Sequence, residues 1–200
     1  MLSKVGIGSA EVDAQLEKDE YIPGEEANGK VVIKGGSVEQ KIDKLYIFVM
    51  IKYEKEVDDN KVNVPTKIAS IKIADEMTEN PNETTEQEFS FTMPYEAPLS
   101  FKNPHIWIET DPDIKQSIDP NDKDEVQVKP NNIQQEMFDA FKELGFNIRT
   151  AKCVPRPFFI KFVQEFEFIP TGTYKDKFDE IELVMQKVTE NEIKDQRKHF

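Results

Sequence analysis

The chain is short of the residues that most chemistry needs. In 200 residues it has one cysteine, Cys153, and two histidines, His105 and His199. One cysteine can neither close an internal disulfide nor build a zinc cluster, and a chain without disulfides suits a reducing compartment. Nucleophilic catalysis needs a base within reach of a Ser, Cys or Thr, and the usual base is histidine. His199 sits on a polar terminus, and His105 lies between Pro104 and an alternating strand. No Gly-x-Ser-x-Gly elbow occurs, and nothing beside Cys153 would lower its pKa. The chain is therefore expected not to be an enzyme and to carry no cofactor. Apolar runs of membrane-spanning length are missing, as is a charged-then-apolar leader at Met1–Ala10. A soluble, cytoplasmic protein with no integral membrane segment is the expectation.

Positive charge is scarce as well. There are 26 Lys and Arg against 39 Asp and Glu, a net charge of −13. The deficit is uneven: residues 1–129 carry 15 basic against 27 acidic side chains, and residues 130–200 carry 11 against 12. A field of that sign argues against nucleic acid, or an anionic membrane, as a partner of the first part. The apolar share, 38%, is low, yet fourteen Phe cannot all be solvated, so the chain is read as folded.

What the sequence does contain is short alternating runs. Asn28–Tyr53 holds two of them around Gly35-Gly36, with Val31 and Ile33 alternating with Val32 and Lys34. In the second, Leu45, Ile47, Val49 and Ile51 share one face and Tyr46, Phe48 and Met50 the other. A run apolar on both faces is expected to be buried on both. Glu11–Lys18, Ile68–Ile73, Phe89–Met93, Ile106–Ile108 and Val126–Val128 read as further strands. Between them lie a turn at Tyr21–Glu25, a charged hairpin tip at Glu54–Asn60 and a long polar loop at Asp75–Gln87. No helical period appears before Pro130, so residues 1–130 are predicted to form a β-sandwich of immunoglobulin-like layers.

Residues 131–145 break the pattern. Ile133, Met137, Phe141 and Leu144 fall on one helical face with Phe138 beside them. Asn131 or Asn132 can cap the start, and Gly145 can end the helix in a left-handed turn. Residues 146–200 are predicted to be a second β domain, part or all of it. Its strands are Phe158–Phe168 and Glu180–Lys187, and the chain frays from Thr189. Two strands are not a stable sheet. If the domain is short of strands, a second copy should cover its free edge, and a homodimer is expected.

Three long stretches carry a resemblance: VGIGSAEVDAQLEKDEYIPGEEANGKVVIKGGSVEQKIDKLYI, WIETDPDIKQSIDPNDKDEVQVKP, and FDAFKELGFNIR followed by FVQEFEFIPTG. In this order they resemble the bacterial sporulation-control protein family, to about Met185. The resemblance implies a mainly β, arrestin-like fold of two sandwich domains with one interdomain helix. It also implies a non-enzymatic regulator or scaffold working through protein partners in developmental or stress signalling. Family members commonly carry Gly-Leu-Asp where this chain has Asp111-Pro112-Asp113, and usually run on through further strands.

Several residues are candidate sites. The acidic loop Asp111–Glu125 is where calcium or a small molecule would bind, with Asp119, Asn121, Asp122 and Asp124 as oxygen donors. Lys123 in its middle, and the missing turn glycine, favour an Asp-Pro turn bonded to its own backbone, so no metal is expected. In the arrestin-like reading buried charges near the two-domain interface latch the domains together, and the same loop, with Asp111 and Asp113 as candidate contacts, is one donor. Trp107 lies between Ile106 and Ile108. Either it is an exposed contact anchor on the outer face, or it is the core residue and the two Ile pack elsewhere. Arg156–Phe162 interleaves basic and aromatic residues, as a nucleic-acid or membrane contact does. In a chain this acidic an aromatic strand and its turn are expected instead, with Phe158 and Phe159 as candidates for protein contact.

Overall fold

The computed structural model describes residues 10–58, 60–101, 106–114, 122–155, 162–189 and 192–195. The first strands are β1 (Glu11–Leu16), β2 (Glu20–Tyr21), β3 (Glu26–Lys34), β4 (Gln40–Val57) and β5 (Asn60–Ala74). They are followed by β6 (Met77–Glu79), β7 (Thr84–Thr92), β8 (Ile106–Ile114), β9 (Asp122–Glu125) and β10 (Gln127–Val128). After the helix α1 (Asn132–Glu143) come β11 (Phe146–Pro155), β12 (Phe162–Pro170), β13 (Ile181–Thr189) and β14 (Glu192–Asp195).

Two sheets face each other in the first part. One is antiparallel, in the order β1-β3-β7; the other runs β5-β4-β8-β9, with β6 also on β4. The alternation explains the layering. Val12, Ala14, Val31, Ile33, Phe89 and Phe91 point inward from one sheet and meet Leu45, Ile47, Val49, Ile51, Ile106 and Ile108 from the other. Each fully buried aliphatic side chain contributes roughly 1.5–3 kcal/mol, and β4 supplies four in a row. A parallel β2–β10 bridge ties the chain entering the helix back to its first turn, where Gly24 takes the positive φ of 87° expected of a turn glycine.

The outer face of β4 differs from expectation. Tyr46, Phe48 and Met50 are half-buried, not buried. No second layer covers them among the described residues. Tyr46 and Phe48 stack on each other, and the Lys67 ammonium sits 3.1 Å from the Phe48 ring centre.

The helix forms where the pattern placed it. Asn131 is its N-cap, closing a capping box with Gln134, and Gly145 follows with φ 84°. Phe138 packs on Phe166 and Phe168, and Phe141 stacks on Phe168 at 4.2 Å. Leu144 does not join that stripe; it is 56% exposed, whereas Gln134 is buried.

Several strands are longer or more numerous than the sequence reading allowed. The hairpin of β4 and β5 runs out to Val57 and Asn60, past Ile51 where pairing with β8 ends; Tyr53 still packs on the core, and the charged Glu54–Glu56 follow it. Part of the supposed loop at 75–87 is β6 and the polar first half of β7. β8 continues through the buried Thr110 to Ile114. The second part forms a four-stranded sheet, β11-β12-β13-β14, not two strands. β11 escaped notice because its register shifts between Ile148 and Thr150. That bulge moves the inward positions from Phe146 and Ile148 to Ala151 and Cys153 and breaks the period of two. Phe146, Phe166, Phe168 and Leu183 belong to the same buried cluster as Ile47 and Ile106, so the core runs on from one part to the other. The Gln164 side chain joins them: it accepts from the Leu99 N–H and donates to the Leu99 carbonyl, both at 2.8 Å and both buried.

Candidate functional site

An open sheet ends in strands whose outward N–H and C=O groups are unpaired, and proteins blunt such edges. β1 is blunted by caps from the facing sheet. The Ala10 N–H donates to Gln40 Oε1 at 2.5 Å, and the Ala14 N–H to Asp122 Oδ2 at 2.7 Å. β5 is blunted by its own sequence. Pro65 has no N–H to offer, the ladder with β4 shifts register twice, and Lys61, Lys67 and Lys72 line the strand. β9 and β14 have four residues each, and β11 carries its bulge. β7 is different. It pairs with β3 in unbroken register from Thr84 to Thr92 and contains no proline, glycine or lysine. Among the described residues it is the long edge without a bulge or a cap from a neighbouring strand.

The outer face beside that edge is acidic. The register places Glu11 with Lys34, Asp13 with Val32 and Glu86, Gln15 with Lys30 and Glu88, and Glu26 with Thr92. The Glu17 N–H donates to the Asn28 carbonyl at 3.0 Å, which extends the ladder by one row. Six carboxylates thus share the face with two lysines, and Lys30 is paired to Glu86 at 2.9 Å. A cleft of about 690 Å³ crosses the sheet here, from Gln15 and Glu17 to Glu88 and Ser90. Gly29 lies in its floor. A Cβ there would come within 2.5 Å of the Gln15 carbonyl oxygen and 2.6 Å of Phe89 Cζ, so the Phe89 ring folds over a residue that has no side chain. Glu86 falls in Asp75–Gln87, which reads as a loop, and Glu88 in the gap before the strand read from Phe89, so neither stood out as a site residue. The available signal was the Glu-x-Glu-x-Ser alternation running into Phe89 and Phe91.

The acidic loop takes a different form from a calcium site. Asp119 and Asn121 lie outside the described residues. Asp122 and Asp124 point to the inner side of β9, opposite Thr110 and Ile108. Asp122 is occupied by the Ala14 N–H, while Asp124 Oδ2 and Thr110 Oγ1 are buried without a partner. Burial, then the adjoining Asp122 carboxyl, then Asp13, push the Asp124 carboxyl up to about 7. A carboxyl buried beside another carboxyl keeps its proton to a higher pH than an exposed one. Among the described residues no group of three or more His, Cys, Asp or Glu is placed to hold a metal ion.

The remaining candidates are scattered. Ile106 and Ile108 face the core, so Trp107 is on the outer face, but it is only 7% exposed. Its Nε1 donates to Glu109 at 3.1 Å, and the Lys52 and Lys123 ammoniums lie 5.6 and 5.7 Å from its ring. Trp107 is therefore covered, not an exposed anchor, and the indole is not a core residue either. Asp111 lies on β8 opposite Tyr46, and Asp113 opposite Lys44; the side chain of Asp113 is outside the described residues, as are Phe158, Phe159, His105 and His199. Burial pushes the Cys153 thiol up to about 12, which leaves it unreactive at neutral pH. No described helix is long and apolar enough to cross a membrane.

Comparison with known proteins agrees with this architecture. A family profile described as SpoOM protein matches residues 1–194. The sporulation-control protein spo0M of Bacillus subtilis (strain 168) is 36% identical over 188 residues, which is 92% of this chain and 73% of the relative. The crystal structure of Spo0M, sporulation control protein, from Bacillus subtilis superposes with a TM-score of 0.86 at 34% identity, covering 94% of this chain and 78% of that one. The fold is mainly β and arrestin-like. On sequence and on structure the chain belongs to the Spo0M family of sporulation-control proteins.

Proposed function

We propose that this protein is a cytoplasmic regulator in sporulation control. It works by holding a partner protein and performs no chemistry of its own, and β7 is its contact edge. The relatives' names support the process. The observation that carries the mechanism is the unbroken β7 edge in a molecule whose other long edges are capped, bulged or interrupted. A free, regular strand offers a ladder of backbone donors and acceptors to an extended segment, and the neighbouring side chains set selectivity. The buried, unreactive Cys153 leaves no nucleophile of the thiol kind.

A photo-crosslinking residue at Glu88 on β7, compared with one at Lys72 on β5, tests this in host cells. Discrete adducts from position 88 and none from position 72 are expected. Adducts from position 72 alone would move the contact to β5 and overturn the assignment.

A further inference from the structure

Edge and charge together specify what kind of segment β7 takes. Resting on the reading of β7 as the contact edge, we propose that its occupant is an extended basic segment, with two Lys or Arg on one face and two apolar residues on the other. Side chains directly opposite across a strand pair share a face. On the outer face an added strand meets Glu86 and Glu88, within a sheet face of six carboxylates and two lysines. On the inner face it meets Phe89 and Phe91, whose rings stack at 6.2 Å along the side of the core.

Alternation then sets the spacing. An antiparallel segment reads apolar-x-apolar-basic-x-basic, and a parallel one reads basic-x-basic-apolar-x-apolar. The same geometry disfavours a second copy of this chain at this edge. Two β7 strands paired about a two-fold axis would bring Glu86 and Glu88 against glutamates, and like charges directly opposite are destabilising. An acidic partner fails for the same reason, and partner residues opposite the buried Phe89 and Phe91 fall on the core side of the sheet, where apolar side chains belong.

The test uses the full chain and two labelled peptides, Val-Ser-Val-Lys-Ser-Lys and Lys-Ser-Lys-Val-Ser-Val, each flanked by Gly-Ser. Binding is followed by fluorescence anisotropy and by NMR shifts of the backbone amides. One peptide should shift and protect the β7 amides, and binding should weaken as salt rises. Exchanging its lysines for glutamates should weaken it by about tenfold, two surface charge pairs being lost. The double variant Glu86→Lys, Glu88→Lys should then prefer the glutamate peptide. A glutamate peptide that binds the parent chain as well as the lysine peptide overturns the charge selection and leaves the edge assignment standing. β7 amides unmoved by every peptide overturn both. Protection of β7 that rises with protein concentration alone gives the edge to a second copy and overturns the basic occupant.

Discussion

Gly29 has no side chain because there is no room for one. Its neighbours across the sheet are the Gln15 carbonyl and the ring of Phe89, which occupies the space a Cβ would need. Gly29→Ala is expected to cost about 1–3 kcal/mol, the usual range for overpacking a filled site. It should lower the urea midpoint and shift the Phe89 ring signals; an unchanged midpoint would show that the ring moves aside freely. Individual side chains were unevenly legible in the sequence. Alternation separated Leu45, Ile47, Val49 and Ile51 from Tyr46, Phe48 and Met50, but with both faces apolar it did not say that only the first set faces the core. The fate of Trp107 could not be read, because its cover comes from Lys52 and Lys123, lysines on other strands that no local pattern links to it. The Ala14–Asp122 bond was equally hidden, since its partners are 108 residues apart.

Elements were legible where their period was clean. The helix, its asparagine cap and its glycine stop follow from spacing and end chemistry. β11 does not, because a bulge splits its period, and β14 does not, because its four residues, three of them charged, are held there by backbone pairing with β13. β7 was half-read, its second half apolar enough to show and its first half polar because only one face meets the core. The seam between β1 and β9 has a pH dependence whose sign is determinate. The Asp124 carboxyl rises from an ordinary 3.8 to about 7 through burial, Asp122 and Asp13. The folded chain therefore keeps a proton that the unfolded chain releases over that interval. This group's contribution is present in full below about pH 4 and falls as pH rises to about 7. Among the described residues no lysine of the seam offsets this: Lys123 and Glu125 lie on the opposite face of β9, and Lys123 is directed to Glu109. Asp124→Asn should remove the decline. Melting temperatures of parent and variant from about pH 4 to about pH 7 should converge at the acid end and separate as pH rises. Parallel curves would contradict the proton kept by Asp124.

At the scale of the whole molecule, a single cluster of buried residues joins an acidic sandwich to a nearly neutral sheet, and the helix with its aromatic stripe packs on that sheet. Gln164, bonded twice to the Leu99 backbone, and the β2–β10 bridge hold the connecting chain in place. Such a frame holds β7 at the side of a packed core, where the proposed contact would be made. Membership of the sporulation-control family sets the process in which that contact is sought. A proline at Gln87 or Glu88 reaches the edge most directly. One of these two adjacent N–H groups points away from β3, and a proline there is tolerated by the fold while it removes a donor from the free side. The variant that keeps the parent's melting temperature would be returned to a spore-forming host lacking its own copy, and heat-resistant spores counted. A folded chain that fails to restore the parental spore count is the expected result; full restoration would contradict a contact made through β7.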